Sequence, residues 1–225
     1  MAEAGGSHAA ALGIELAGLR AGQVYQWFLA AVLYGAPIPE SVATHTWREF
    51  ARSGVTTPHG MLAAGWDGLV AILDRGGYVR YDYKTATKLL DVNRALIADY
   101  GGDLNRLHAA ATDPADLERR LMALGKGIGA VTTGIFLREL RGRWEKAAPA
   151  LSPLALQAAV ALGYVKGDTE DPLAELKQLW QGQGGTDVNF VDFEAALVRA
   201  GLRLRRRAAR YPTGLNPASS PGNTA

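Results

Sequence analysis

The residues best suited to chemistry lie in one short run, Leu124-Gly125-Lys126-Gly127-Ile128-Gly129-Ala130-Val131-Thr132-Thr133. Glycines at 127 and 129 permit positive φ and leave backbone N–H groups unshielded by a Cβ, so an anion can approach the main chain closely. A helix leading out of the turn adds the positive end of its dipole. Ile128 is placed to pin the turn into the core, and Lys126, Arg138 and Arg141 supply charge nearby. Arg138 stands seven residues after Val131, about 20° from it on a helical projection. The chemistry this pattern fits is phosphate binding by Lys126, Gly127, Ile128, Gly129, Ala130 and Thr132, with Arg138 and Arg141 as further phosphate contacts. A lone Gly-x-Gly carries little information; Gly-Ile-Gly between two helices, with basic residues around it, carries more.

Other reactive types are sparse. Glu139 and Glu145 are the only acids between Arg119 and Lys166. They are candidate catalytic carboxylates, with ordinary pairing to Arg138, Arg141 or Arg143 as the alternative. The histidines, at 8, 45, 59 and 108, have no metal-ligand spacing, so no metal site is expected. His8 is expected in a frayed terminus. The chain has no cysteine, which removes disulfides, thiol nucleophiles and thiolate-held iron–sulfur clusters together. His45, Trp47, Tyr81 and Tyr164 are candidates for an aromatic pocket, with Tyr78 and Tyr83 as further aromatics; core packing is the alternative for each. Trp66 and Leu69 read as packing residues.

The elements that must position these residues read as helices. Thr57-Pro58, Asp113-Pro114, Ser152-Pro153 and Asp171-Pro172 each pair a capping side chain with a proline suited to the first helical turn. Residues 24–33 form an apolar segment closed by Gly35-Ala36-Pro37. Residues 83–100 show helical spacing of Ala86, Leu89, Leu90, Leu96 and Ile97, with Gly101-Gly102 as the stop. Residues 191–204 read as the last helix. About ten short helices and no sheet are expected. The tail from Pro212, rich in Pro, Ser, Gly and Asn, is expected to be disordered.

The 225 residues suffice for a single core or two small lobes, and 48% hydrophobic with 20% charged residues is globular composition. No apolar run approaches 18 residues, so no membrane partner is expected. The first twelve residues lack a basic region ahead of an apolar one, and a cytoplasmic protein is expected. Net charge is +2, unevenly spread. Residues 119–146 hold seven Lys/Arg against two Glu, and residues 199–210 hold six Arg and no acid. The rest of the chain is therefore acidic, and two basic stretches point to a polyanion-facing surface. The run Arg203 to Arg210 is expected to make a second set of phosphate contacts.

Taken together, these residues resemble the helix-hairpin-helix superfamily of base-excision DNA glycosylases, typified by endonuclease III. The likeness spans residues 23–164. Residues 27–50 resemble the family's opening helices, and Gly76-Gly77-Tyr78-Val79-Arg80-Tyr81 its approach to a long central helix. Tyr100-Gly101-Gly102-Asp103 resembles that helix's stop, and residues 124–133 its hairpin. The resemblance implies an all-α domain over residues 1–211, in which two helical lobes flank a DNA-binding cleft, the hairpin lies at about 114–141, and a base is flipped from the duplex. It also implies DNA as partner and a nucleoid-associated location. The chain departs from the family at its chemistry. Val131 stands where the lyase branch has its lysine, Ser152 or a neighbour stands where the family has its aspartate, and the iron–sulfur motif is missing.

No cofactor is expected. The resemblance implies either a divergent monofunctional glycosylase acting on damaged bases, or a catalytically inactive DNA-binding protein that recognises altered or branched DNA. Schiff-base lyase activity is not expected. A helical protein-interaction module without a nucleic-acid role is the third reading.

Overall fold

Each of the four residue–proline pairs begins a helix, and in each the residue before proline caps it. The Thr57 hydroxyl accepts from Gly60 N at 3.0 Å, Asp113 from Asp116 N at 2.7 Å, Ser152 from Ala155 N at 3.2 Å and Asp171 from Ala174 N at 3.0 Å. The caps satisfy amides that lack an intrahelical partner, while proline gives up an N–H that would have had none. The computed structural model describes residues 6–210, which hold eleven helices and no strand. They are α1 (His8–Ala11), α2 (Ala21–Tyr34), α3 (Glu40–Arg52), α4 (Pro58–Arg75), α5 (Asp82–Tyr100), α6 (Leu104–Ala110), α7 (Pro114–Ala123), α8 (Ala130–Arg138), α9 (Pro153–Ala161), α10 (Pro172–Gly182) and α11 (Phe190–Arg210). The all-α class is as expected; the tail from Pro212 lies outside the described residues.

Two hydrophobic clusters organise the chain. The first gathers α1 to α8 and the stretch through Ala147 around α2, which is buried from Val24 to Leu33 apart from Gln26. Its buried polar groups are tied off: Tyr25 Oη donates to Asn93 at 2.7 Å, Trp27 Nε1 to the Phe136 carbonyl at 3.0 Å, and Tyr78 Oη to the Leu33 carbonyl at 3.2 Å. The last two bonds fix α8 and the α4–α5 turn against α2. The second cluster is built by α9, α10 and α11 around Ala155, Ala158, Leu176, Phe190 and Phe193. Gly201 lets α11 cross α9 closely, since a Cβ there would fall on the Leu154 backbone. α5 ends at Gly101, whose φ of +64° is the left-handed conformation that glycine adopts without strain.

A buried ionic joint links the clusters. Arg141 Nε donates to Glu194 Oε2 on α11 at 3.0 Å, with the two side chains 3% and 0% exposed, and Arg141 Nη2 donates to the Pro149 carbonyl at 2.8 Å. Arg138 is buried in the same region, its Nε unpartnered. Arg141 and Arg138 therefore face inward, correcting the expectation that they contact phosphate. Glu139 is buried too. It accepts from His8 N at 3.0 Å, Ala9 N at 3.2 Å and His8 Nδ1 at 3.3 Å, so it caps α1. Burial alone would raise the Glu139 pKa, but the hydrogen bond and charge of His8, with the Arg138 charge, hold it below the usual carboxylate value. His8 is not frayed: it opens α1, and burial pushes its pKa down against the pull of Glu139.

Candidate nucleic-acid interface

The hairpin is built from α7, the turn 124–129 and α8. Leu117, Leu121, Leu124 and Ile128 point into the first cluster, so the turn is anchored from below. Ile128 N donates to the Gly125 carbonyl at 3.1 Å, closing the turn. A Cβ at Gly125 would lie 2.7 Å from Val92 Cγ2, so glycine there lets the turn seat directly on α5. Gly127 takes a φ of +92°, and a Cβ there would also meet Lys88 Cε at 2.8 Å. The positive φ is what demands glycine at 127, while the flexible end of Lys88 would only have to shift. Gly129 is the N-cap of α8 in extended backbone, with no side-chain cap and nothing within 4 Å of where a Cβ would stand. The first-turn amides of α8 lie behind an open approach and carry the positive end of the helix dipole.

Lys126, Gly127, Gly129 and Ala130 are exposed around this approach, and Val131 is 66% exposed beside them. Ile128 is an anchor rather than a contact surface. Thr132 is buried, its hydroxyl packed where Gly35 leaves room on α2, which corrects its placement among the phosphate contacts. Thr133 is buried as well, with its hydroxyl unpartnered. Two further basic residues of the hairpin, Arg119 and Arg120, are held by Asp116 at 3.1 and 2.8 Å. Asp116 stays below the usual carboxylate range because of the Arg120 and Thr112 hydrogen bonds.

One residue escaped the sequence reading. Lys88, on α5, lies half-buried against Gly127, and burial lowers its pKa. Its only sequence signal is the spacing from Lys84, one helical turn earlier; which face of α5 meets the hairpin is a tertiary fact. With Lys126 it brings two ammonium groups to the turn.

The catalytic and aromatic candidates are scattered. Glu139 is committed to α1, and Glu145 is exposed on the loop before α9. Ser152 accepts an amide hydrogen bond as the cap of α9. His45 is exposed on α3 with Nε2 at 3.9 Å from Glu49, whereas Trp47 is buried in the first cluster. Tyr81 is half-buried at the start of α5 under the Arg80 guanidinium, 5.6 Å from the ring centroid. Tyr164 packs edge-on against Phe193 in the second cluster. These four do not form one pocket, because Trp47 and Tyr164 belong to different cores. A cavity of about 530 Å³ at the far end of α5, lined by Tyr100, Arg106 and Arg120, includes none of them. A second, of about 340 Å³, lies between Ile14, Glu139 and Arg143 and also excludes the turn.

No protein-family model matches the chain, and no curated protein sequence is significantly similar to it. Among the described residues no helix is long and apolar enough to cross a membrane, and no cluster of His, Asp or Glu has metal-binding geometry. Arg203, Arg205, Arg206, Arg207 and Arg210 are exposed along the end of α11, where Arg206 approaches Glu40 at 3.9 Å.

Proposed function

We propose that this chain is a DNA-binding protein of the base-excision-repair type, built on a helix-hairpin-helix glycosylase-like scaffold and gripping duplex phosphates at the hairpin. The observation that carries the reading is the uncapped start of α8 at Gly129, reached through an open approach and flanked by Lys126 and Lys88. Backbone N–H groups, a helix dipole and two ammonium groups converging on one exposed turn suit an anion held without regard to base sequence. The non-catalytic form is favoured because Glu139 and Ser152, two of the positions where chemistry would be sought, are committed as helix caps.

The second reading, a monofunctional glycosylase, rests on Glu145, an exposed carboxylate on the loop leading to α9. Lyase chemistry needs an amine that attacks the sugar carbon, and Val131 offers none. Lys88, with its pKa lowered by burial, is the amine nearest the turn that desolvation favours as a nucleophile. Incubation with duplexes carrying abasic sites or alkylated bases, followed by borohydride reduction, separates these readings. The expected result is tight binding with neither adduct nor released base. Release of free base that is lost in Glu145→Gln would establish the glycosylase, and a covalent adduct abolished by Lys88→Ala would overturn the absence of lyase chemistry.

A further inference from the structure

Gly65 interrupts α4 with φ +66° and ψ 178°, and the kink swings Trp66 outward. Trp66 is 39% exposed, while Trp27, Trp47 and Trp144 are each under 5%. Its Nε1 donates to Thr87 Oγ1 at 3.1 Å, and that hydroxyl donates onward to the Tyr83 carbonyl at 3.0 Å. The indole is thereby held in place with its polar edge satisfied. Tyr83, 61% exposed, lies alongside at 5.2 Å between ring centroids and 41° between planes. Two aromatic rings, fixed but uncovered, form a surface whose hydrogen-bonding needs are already partly met.

The position of this pair gives it meaning. Tyr83 and Thr87 lie on one face of α5, and Lys84 and Lys88 lie one step, about 100°, around the same helix. Lys88 is the residue that touches Gly127 of the hairpin. The aromatic pair and the phosphate-suited turn therefore border opposite sides of one strip of α5. Around the strip Arg80, Lys84 and Lys126 are exposed and Lys88 half-buried; the exposed acids on α4 and α5 include Asp91, paired with Arg94 at 3.0 Å, Asp67 and Asp74, and Asp82 is buried. Aromatic faces beside ammonium groups match a nucleotide strand, whose bases stack while its phosphates pair with cations.

We infer that Trp66 and Tyr83 form a stacking platform for an unpaired nucleobase of a DNA strand whose phosphates lie on the hairpin. The inference rests on the DNA-binding reading. It retains Tyr83 from the expected aromatics, sets aside His45, Trp47, Tyr81 and Tyr164, and replaces the reading of Trp66 as a packing residue. Stacking on an aromatic side chain discriminates unpaired from paired bases because only the former presents a free π-face.

The test uses the full chain and two labelled duplexes of equal length, one fully paired and one with a single-nucleotide bulge, followed by fluorescence anisotropy. Trp66→Ala and Tyr83→Ala are each expected to weaken binding of the bulged duplex about tenfold. Binding of the paired duplex should stay within about twofold, and Trp66→Phe should restore most of the bulge preference. Quenching of tryptophan emission by the bulged duplex, absent in Trp66→Phe, is the second expected signature. Equal losses on both duplexes, or none on either, while Lys126→Glu still weakens both, would overturn the platform and leave DNA binding standing. Failure of the unaltered protein to bind either duplex would overturn the DNA-binding reading and the platform with it.

Discussion

Replacing Glu194 with Ala removes the carboxylate paired with Arg141 Nε at the joint between the two cores, leaving the Arg141 and Arg138 guanidinium groups buried in the same region without a carboxylate from α11. Removing one partner of a buried pair costs about 3–5 kcal/mol, because the remaining charge stays desolvated. In a fold of this size each kcal/mol moves the melting temperature by about 2–4 °C, so a fall of roughly 6–20 °C is expected. Arg141→Met with Glu194→Leu removes both charges and fills the space with carbon. It should recover most of the loss, less about 1 kcal/mol for the bond to the Pro149 carbonyl. Thermal unfolding followed by circular dichroism measures both variants against the unaltered protein. In parallel, Arg141→Met should leave the salt slope of DNA binding unchanged, since a buried guanidinium releases no counterions. A fall in melting temperature below about 2 °C for Glu194→Ala, or a salt slope flattened by about one in Arg141→Met, would refute the assignment of this pair to the joint.

Gly127→Ala must adopt a φ of +92° and displace Lys88, so urea denaturation should show a loss of at least about 1 kcal/mol, whereas Gly134→Ala, in open space on α8, should be neutral or stabilising. His8 has a lowered pKa in the fold, so the unfolded chain takes up its proton first. Stability should therefore be fully present above pH 6.5 and decline as pH falls below it toward the folded value, and His8→Asn should lessen that decline in a pH series of melting temperatures. His108, also shifted down by burial, leaves a residual dependence of the same sign.

What the sequence disclosed and what it hid divide along the range of the interactions. Helix starts at Thr57, Asp113, Ser152 and Asp171 were legible because a cap and its proline act within four residues. The stop at Gly101 was legible for the same reason. Ile128 as an anchor followed from its place between two glycines. The charge count misled, because a run of basic residues does not reveal which face each occupies: Arg119 and Arg120 are bound by a local acid, while Arg141 is satisfied by Glu194, 53 residues away. Trp66 defeated helical periodicity because Gly65 breaks the register one residue earlier. Glu139 read as a spare carboxylate because its partners are backbone amides of α1, 130 and 131 residues back. Lys88 and Gly127 meet only once α5 is packed under the hairpin.

The central claim, that the hairpin holds DNA through its phosphates, is tested most directly by the salt dependence of duplex affinity for the unaltered protein and for Lys126→Glu. The account predicts that log affinity falls linearly with log salt concentration for any duplex sequence, and that Lys126→Glu weakens binding across all of them and flattens the slope by about one. Duplex affinity indifferent both to salt and to Lys126→Glu would contradict it.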